Sequence, residues 1–374
     1  MAIPKVSLII DTNRQSDRDF LKGITRYSVN NGPWEFVFNP QKYLSISPDW
    51  QSHKTSDGFI VRGFENLAQV KKFRKPIIVS GIKKETNKNI TTVITDSETI
   101  GIMGAEYLKS LGLKNFAFCG FTKIEWSRLR QKSFADYFSR TNFMCYKHNL
   151  ESKGKLTAWL EKLPRPIGIM ACNDDCAMQI LESAKSLDIK IPEQIAILGV
   201  DNDELVCSLT GPPLSSIDIN FEKSGYEAAM LLADMMQNNQ QVITEIKVEP
   251  IAVIERESTN ILSIQNETIA EALRYIRDNY KTDIGVNDVA RSLELSRRAL
   301  EKQFSKHLGR TIYSEIRSQR INHIARLLIE TNLTVSEIMG TLQYSSPEHI
   351  ARQFSCEKGL SPIKFRKQHS RISY

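Results

Sequence analysis

Through the first 256 residues, short apolar runs alternate with longer stretches whose apolar positions fall on one side of a helix. KVSLIID, DGFIVRG, KPIIVSG, TTVITD, KNFAFCGF, IGIMACND and IAILGVDND are rich in Val, Ile and Phe and carry no regular polar alternation. Strands buried on both faces have this pattern, which implies a parallel sheet covered by helices. Between them, SETIGIMGAEYLKSLG, DDCAMQILESAKSLD and FEKSGYEAAMLLADMMQ read as helices. In the first of these, Ile100, Met103, Tyr107, Leu108 and Leu111 form a single stripe. Repeated strand–helix alternation predicts a doubly wound α/β architecture.

After IAVIERE the alternation stops. RESTNILSIQNE is short and polar and predicts a linker at 257–267. From Thr268 onward the periodicity predicts an all-α domain, 268–374, with helices at 268–280, 286–294, 296–308, 311–331, 334–342 and 346–358. Two of these helices are copies. SRRALEKQFSKHLG, from Ser296, returns as SPEHIARQFSCEKG, from Ser346. In each copy a Ser stands at the N-cap and a Gly where a left-handed C-cap falls. Leu300, Phe304 and Leu308 face inward in the first, and Ile350 and Phe354 in the second. Arg297, Arg298, Glu301 and Lys302 then point outward, as do Glu348, His349 and Arg352 in the second copy. A short helix precedes each copy, and Thr334 with Glu337 forms a capping-box pair before the second. This is the helix-turn-helix layout, in which the second helix enters the major groove of DNA. The intervening TIYSEIRSQRINHIARLLIET would span ~30 Å as a helix. One DNA turn is ~34 Å, so a single chain could set two reading helices in successive grooves.

The totals sharpen this picture. A chain of 374 residues exceeds one ordinary core. No apolar run approaches the ~18 residues of a membrane span, and MAIPKVSLIID lacks the features of a secretory signal. The six cysteines are scattered and fit no disulfide framework, so the expected compartment is the cytoplasm; a DNA-binding role would place the protein at the bacterial nucleoid. Residues 266–374 hold 18 Lys and Arg against 12 Asp and Glu, whereas the first 265 hold 32 against 31. The excess positive charge sits with the repeated helix, which suits a polyanion partner.

The tract LSRRALEKQFSKHLGRTIYSEIRSQRINHIARLLIETNLTVSEI, followed by SPEHIARQFSCEKGLSPIKFRKQ, resembles the DNA-binding domain of AraC/XylS-type transcription activators. The resemblance implies operator double-stranded DNA as partner. Arg297, Arg298, Glu301 and Lys302 would read bases in one groove and Glu348, His349 and Arg352 in the next. Arg310, Lys364, Arg366 and Lys367 would contact phosphate. The sequence departs from the family pattern at Glu294 and Gln343, where turn glycines are common.

Polar residues gather at the carboxyl ends of the front strands, where doubly wound sheets bind ligands: Asp11, Asn13, Arg62, Asp96, Asn173, Asp174 and Asp201. Carboxylates that accept hydroxyl hydrogens, with Arg and Asn donors, suit a neutral polyol rather than a phosphate. ACNDDCAMQIL and PEQIAILGVDNDELVCSLTGPPLSSIDINFEKSGYEAAMLL resemble the effector domain of LacI/GalR-type repressors. That implies a periplasmic-binding-protein-like fold of two α/β lobes joined by three crossovers around a cleft. The lobes are expected at about 1–112 with 221–241, and 113–220 with 242–256. By this resemblance WSRLRQKSF supplies the ligand-binding Arg130, and Asp174, Asp201 and Asp96 fall at ligand-contact positions. The expected effector site is Asp11, Asn13, Asp96, Trp126, Arg130, Asn173, Asp174 and Asp201. Trp126 could equally be a core or interface side chain, Arg62 a lobe–lobe ion pair, and Asp174 or Asp175 a helix N-terminal acid.

A LacI-like sensor ahead of an AraC-type reader is similar, over essentially the whole chain, to activators of pentose operons. That implies D-xylose or a related pentose as effector, a homodimer, and RNA polymerase as partner. A different sugar or a purine is the alternative effector. A carbohydrate enzyme tethered to DNA, using Asp174 or Asp201 as acid–base, is the remoter alternative. Against catalysis, the chain has no G-x-G-x-x-G or P-loop motif. No cofactor is expected, and Cys172 with Cys176 lacks the second pair that a zinc site needs.

Overall fold

The computed structural model describes residues 3–38, 50–63, 65–81, 90–139, 144–150, 156–238, 245–260, 267–341 and 347–369, without the side chains of 144, 238, 267, 270, 330, 347–349, 368 and 369. The chain opens with β1 (Lys5–Ile9), α1 (Gln15–Asn31), β2 (Glu35–Phe38), β3 (Gly58–Arg62), α2 (Leu67–Val70), β4 (Ile77–Ser80) and β5 (Ile90–Thr95). It then passes through α3 (Ser97–Ser110), β6 (Asn115–Gly120), α4 (Glu125–Ser139), β7 (Met144–Asn149) and α5 (Leu156–Lys162). β8 (Ile167–Ala171), α6 (Asp174–Ser186), β9 (Ile195–Asp201), α7 (Glu204–Leu209) and β10 (Ser215–Ile219) follow. α8 (Phe221–Asn238), β11 (Glu245–Val248) and β12 (Pro250–Ile254) complete the front of the molecule.

Two six-stranded sheets result, ordered β11-β5-β4-β3-β1-β2 and β12-β10-β9-β8-β6-β7. All described pairings are parallel except β10 with the edge strand β12. The strands are buried on both faces, as their composition requires. Along β3, Ile60 joins one core cluster while Phe59 and Val61 join another on the opposite face.

The lobes exchange a helix, and this moves two expected boundaries. α3 leaves the first sheet but packs on α4 and the second sheet. The contact is close: a Cβ on Gly101 would lie 2.5 Å from the Arg130 carbonyl oxygen. The first crossing is therefore at Asp96 rather than 112. α8 returns to pack on α1. β11 pairs with β5 in the first sheet, so that lobe runs to Val248 rather than ending at 241. The three crossings lie side by side: Asp96 N–H donates to the Val248 carbonyl at 2.9 Å, and Asn220 N–H to the Glu249 carbonyl at 3.4 Å. The α/β domain also extends past 256. Ser258 Oγ donates to the Ile197 carbonyl at 2.6 Å and accepts from Ser215 N–H at 2.8 Å, fixing the segment to Asn260 on the second lobe.

The rest of the chain is helical: α9 (Glu267–Asn279), α10 (Val286–Ser292), α11 (Arg297–Leu308), α12 (Ile312–Glu330), α13 (Val335–Gly340), α14 (Pro347–Lys358) and α15 (Pro362–His369). The seventh helix lies beyond the six expected. Pro362 occupies its first position, where a missing N–H costs nothing. Each copy of the repeat anchors its own core. Leu300 and Phe304 pack with α9, α10, Ile312 and Ile316, while Ile350 and Phe354 pack with Ile321, Ile324, Leu328, α13 and Phe365. α12 thus serves both cores. Ile251 of β12 joins the second of them, docking the helical domain on the second α/β lobe.

Candidate functional site

The carboxyl end of β1 faces those of β8 and β9 across the cleft between the lobes, where Arg14 meets Asp175 and Gln15 meets Asp203. Asp201 ends β9 at φ +103° and Asn202 follows at +51°, so the loop turns sharply at the strand end. Arg130, on the inner face of α4, is 2% exposed. Its Nη1 donates to the Cys172 carbonyl, and its Nη2 lies 3.9 Å from Asp201 Oδ1. Its guanidinium carbon stands 4.8 Å from the centre of the Trp126 ring. Trp126 meets Phe121 edge-on at 6.4 Å. Among the described residues, the buried Arg130 Nε has no hydrogen-bond partner. A buried donor without an acceptor is costly, and a hydroxyl supplied by a ligand would relieve it. Burial pushes the Asp201 carboxyl up to about 6, against the opposing pull of Arg130, Arg14 and Arg62. Burial also lowers the pKa of Arg130, and Asp201 partly restores it.

The first lobe contributes cations. Arg62 Nε pairs with Asp17 Oδ1 at 2.9 Å within its own lobe, so the lobe–lobe alternative for Arg62 does not hold. The pair that crosses the cleft is Arg14 with Asp175, at 3.0 Å. The backbone N–H of Gln15, the first residue of α1, also crosses to Asp203 Oδ2 at 3.2 Å. Asp203 Oδ1 meanwhile accepts from Val206 N–H and caps α7. One carboxylate therefore serves two helix N-termini, one in each lobe.

The other expected effector residues are placed unevenly. Asp11 is half-buried near Asp17, whose pKa it helps raise after burial itself. Asn13 is exposed, with its carbonyl accepting from Arg18. Asp96 caps α3 through Thr99 N–H at 3.2 Å, and Asn173 caps α6 through Cys176 N–H at 3.0 Å. Asp174 is turned inward. Its Oδ1 accepts from Ser216 Oγ at 2.6 Å and its Oδ2 from Asp203 N–H at 2.8 Å. Both oxygens are committed inside the second lobe, so Asp174 shapes the Asp201 loop rather than facing the cleft; Asp175 is the member of the pair that does. Arg14, Asp175 and Asp203 were not among the expected contacts. For Arg14 the legible signal was the polar run DTNRQSD at the carboxyl end of β1, the same signal that picked out Asp11 and Asn13; for Asp175 and Asp203 it was the acidic runs NDD and DND at the carboxyl ends of β8 and β9.

On the helical domain, Ser296 caps α11 through Ala299 N–H, and Gly309 closes it at φ +66°. Glu294 adopts φ +54°, the left-handed turn position where glycine is usual; Gln343 lies outside the described residues. Arg297, Arg298 and Lys302 are exposed and Glu301 is half-buried, with Arg297 Nε 3.1 Å from Glu301 Oε1. Arg352 is exposed on α14, whereas the side chains of Glu348 and His349 lie outside the described residues. Two of the four expected phosphate contacts are directed elsewhere. Arg366 is 5% exposed and donates from Nε to the Leu328 carbonyl. Arg310 pairs with the buried Glu315 at 2.6 Å and faces the sensor. Lys364 and Lys367 remain exposed.

Comparison with known proteins matches residues 105–259 to a periplasmic binding protein-like domain and 289–368 to a helix-turn-helix domain. The xylose operon regulatory protein of Haemophilus influenzae is 28% identical over 97% of this chain and 98% of its own length. That of Escherichia coli K12 is 27% identical over 98% of each. The solved structure of a xylose-binding transcription activator, xylR, superposes with a TM-score of 0.63 at 25% identity, covering 99% of both chains. The chain is homologous to the xylose operon regulatory proteins. It joins a periplasmic-binding-protein-like sensor to an AraC-type helix-turn-helix domain. These relatives are named as transcription regulators, and no described helix is long and apolar enough to cross a membrane.

Proposed function

We propose that this protein is a sugar-responsive transcription regulator of a xylose operon, with D-xylose or a related pentose as its effector. The observation that carries the reading is the Arg130–Asp201–Trp126 group at the strand ends. It supplies a buried donor lacking a partner, a carboxylate beside it and an aromatic ring, in a chain homologous end to end to xylose operon regulators. Ring hydroxyls donate to Asp201 and accept from Arg130, and an aromatic edge or face packs on sugar C–H groups. The relatives are named as regulators, which favours a binding site over an enzyme.

Closure about Asp96, Asn220 and Glu249 carries the first lobe's Arg14 and Arg62 toward the sugar. The sugar shifts the closed population by as much as it prefers that state. The helical domain then presents α11 and α14 to successive grooves of operator DNA, with Arg297, Arg298, Glu301, Lys302, Glu348, His349 and Arg352 toward base edges. Lys364 and Lys367 contact phosphate. The name of the xylR relative, a transcription activator, supports activation rather than repression. In this reading the protein acts as a homodimer with RNA polymerase in the bacterial cytoplasm and uses no cofactor. The deciding experiment is a thermal-shift panel of free D-xylose, L-arabinose, D-ribose and D-glucose. The effector, at 100 times its Kd, stabilises the sensor by about 2.7 kcal/mol. A panel in which no pentose shifts the transition would remove this function.

A further inference from the structure

The loop after β9 holds two consecutive side-chain-bearing residues at positive φ, Asp201 and Asn202. Such backbone is unfavourable and persists where neighbours hold it in place. Three hydrogen bonds do so here. Asn202 N–H donates to Ser216 Oγ at 3.0 Å, and Asp203 N–H to Asp174 Oδ2 at 2.8 Å. Both partners belong to the body of the second lobe. The third bond is different: Asn202 Oδ1 accepts from Arg256 Nη2 at 2.8 Å.

Arg256 begins the segment by which the chain leaves the sensor. Its Nη1 donates to the Leu214 carbonyl at 2.8 Å, so one planar fork spans two acceptors on separate loops. Its backbone N–H and carbonyl both bond Ser215 Oγ, at 2.7 and 3.0 Å. From there the segment passes Thr259, held by Ser215 Oγ at 2.6 Å and by Tyr107 of α3 at 2.7 Å. It reaches Asn260, whose Oδ1 accepts from Arg277 on α9. Arg256, Asn260 and Arg277 line a cavity of about 800 Å³ between the second lobe and the helical domain, together with Glu255, Arg310 and Glu315.

Resting on the sugar-cleft reading, we propose that the Asn202–Arg256 hydrogen bond is the coupling contact between effector and DNA reader. Asn202 is one peptide from Asp201, so a sugar that draws the Asp201 carboxylate rotates the Asn202 amide. Arg256 carries that rotation into the exit segment, and Arg277 carries it into α9. Asn202 and Arg256 are positioning residues that touch no sugar.

Two variants of the full-length chain test this. Asn202→Gly keeps a residue at home at positive φ and keeps the N–H to Ser216, but removes Oδ1. Arg256→Lys keeps the charge and loses the fork. D-xylose binding is measured by calorimetry. Operator affinity, with and without D-xylose, is measured by fluorescence anisotropy on a duplex selected from a random pool by the wild-type protein. Both variants are expected to bind D-xylose within about threefold of wild type. The sugar-dependent change in operator affinity, typically 5- to 150-fold for coupled sites, is expected to fall by at least half on a logarithmic scale. By reciprocity, the operator's effect on sugar affinity falls with it. Coupling retained above that level in Asn202→Gly overturns the inference, and so does a loss of sugar affinity beyond threefold, which would put Asn202 in the pocket. A wild-type protein that binds no pentose overturns the cleft reading itself. Should Arg256→Lys fail to fold, Asn202→Gly decides alone.

Discussion

The guanidinium of Arg14 and the carboxylate of Asp175 meet at 3.0 Å across the mouth of the cleft, one from each lobe. Both side chains are about half exposed, and exposed pairs of this kind contribute little. Arg14→Gln is therefore expected to weaken D-xylose binding by less than about fivefold, with the difference vanishing in high salt. The neighbouring contact is better shielded. Gln15→Pro removes the N–H that reaches Asp203 while placing proline at a first helical position, where it is tolerated. We expect it to weaken binding by about tenfold or more, as for a hydrogen bond to a charged group, whereas Gln15→Ala, which keeps the N–H, does not. Calorimetry on the two variants separates backbone from side chain.

Sugar affinity should depend on pH through Asp201. Its carboxyl is raised to about 6, and hydroxyl donors need the ionised form. Lowering the pH from 7 to 5 is expected to weaken D-xylose binding progressively, and Asp201→Asn should bind weakly at every pH. The sign for stability is the reverse. A carboxyl whose pKa is higher folded than unfolded binds protons preferentially in the folded state, so the sugar-free protein loses stability as pH rises from about 4 to 6. Denaturation midpoints without sugar check this.

Glu294 offers a stabilising change. At φ +54° a side chain costs about 1–2 kcal/mol, and glycine relieves that at some cost in unfolded-chain entropy. Glu294→Gly is expected to raise the stability of the first helix-turn-helix unit by about 1 kcal/mol. Urea unfolding of the full chain, followed by near-ultraviolet signals of Tyr275 and Tyr280, measures it. A lower midpoint would mean that the Glu294 side chain makes compensating contacts.

The basic residues of the helical domain should separate by burial. Arg298→Ala should cost ~1–3 kcal/mol of operator affinity and relax preference at one base pair. Lys367→Ala should reduce the salt slope of binding by about one and weaken all sequences alike. Arg366→Ala should instead lower the melting temperature, because it leaves the Leu328 carbonyl without its donor. Salt titrations of the three variants distinguish these roles.

The strands buried on both faces were legible because continuous apolar runs have few other solutions. β2, β7, β10 and β11 were not, since EFVF is too short, MCYKHN too polar, SSIDI too rich in hydroxyls and EIKV too brief to stand out. The helix exchange was invisible for another reason. α3 has an apolar stripe whichever sheet it covers, and its contacts, Gly101 with α4 and Gly104 with Met170 of β8, show which one it joins. The cleft was half legible. Position at a strand end picked out Asp201, while Arg130 came from the family resemblance. Asp174 and Asp175 are adjacent in sequence, and only the placement of Ser216 and of the Asp203 amide tells which one turns inward. Arg366 looked like any other basic residue near the terminus until its carbonyl partner on α12 was in place.

Because α12 contributes side chains to the hydrophobic interiors of both helix-turn-helix units, the two cannot be retuned separately. They form a fixed gauge, like wheels on one axle, and the promoter must match the gauge. Lengthening the operator between its half-sites by five base pairs would swing one of them to the far side of the duplex, and no bending of a 19-residue helix follows it there. Selection can thus change which bases are read far more readily than how far apart they stand.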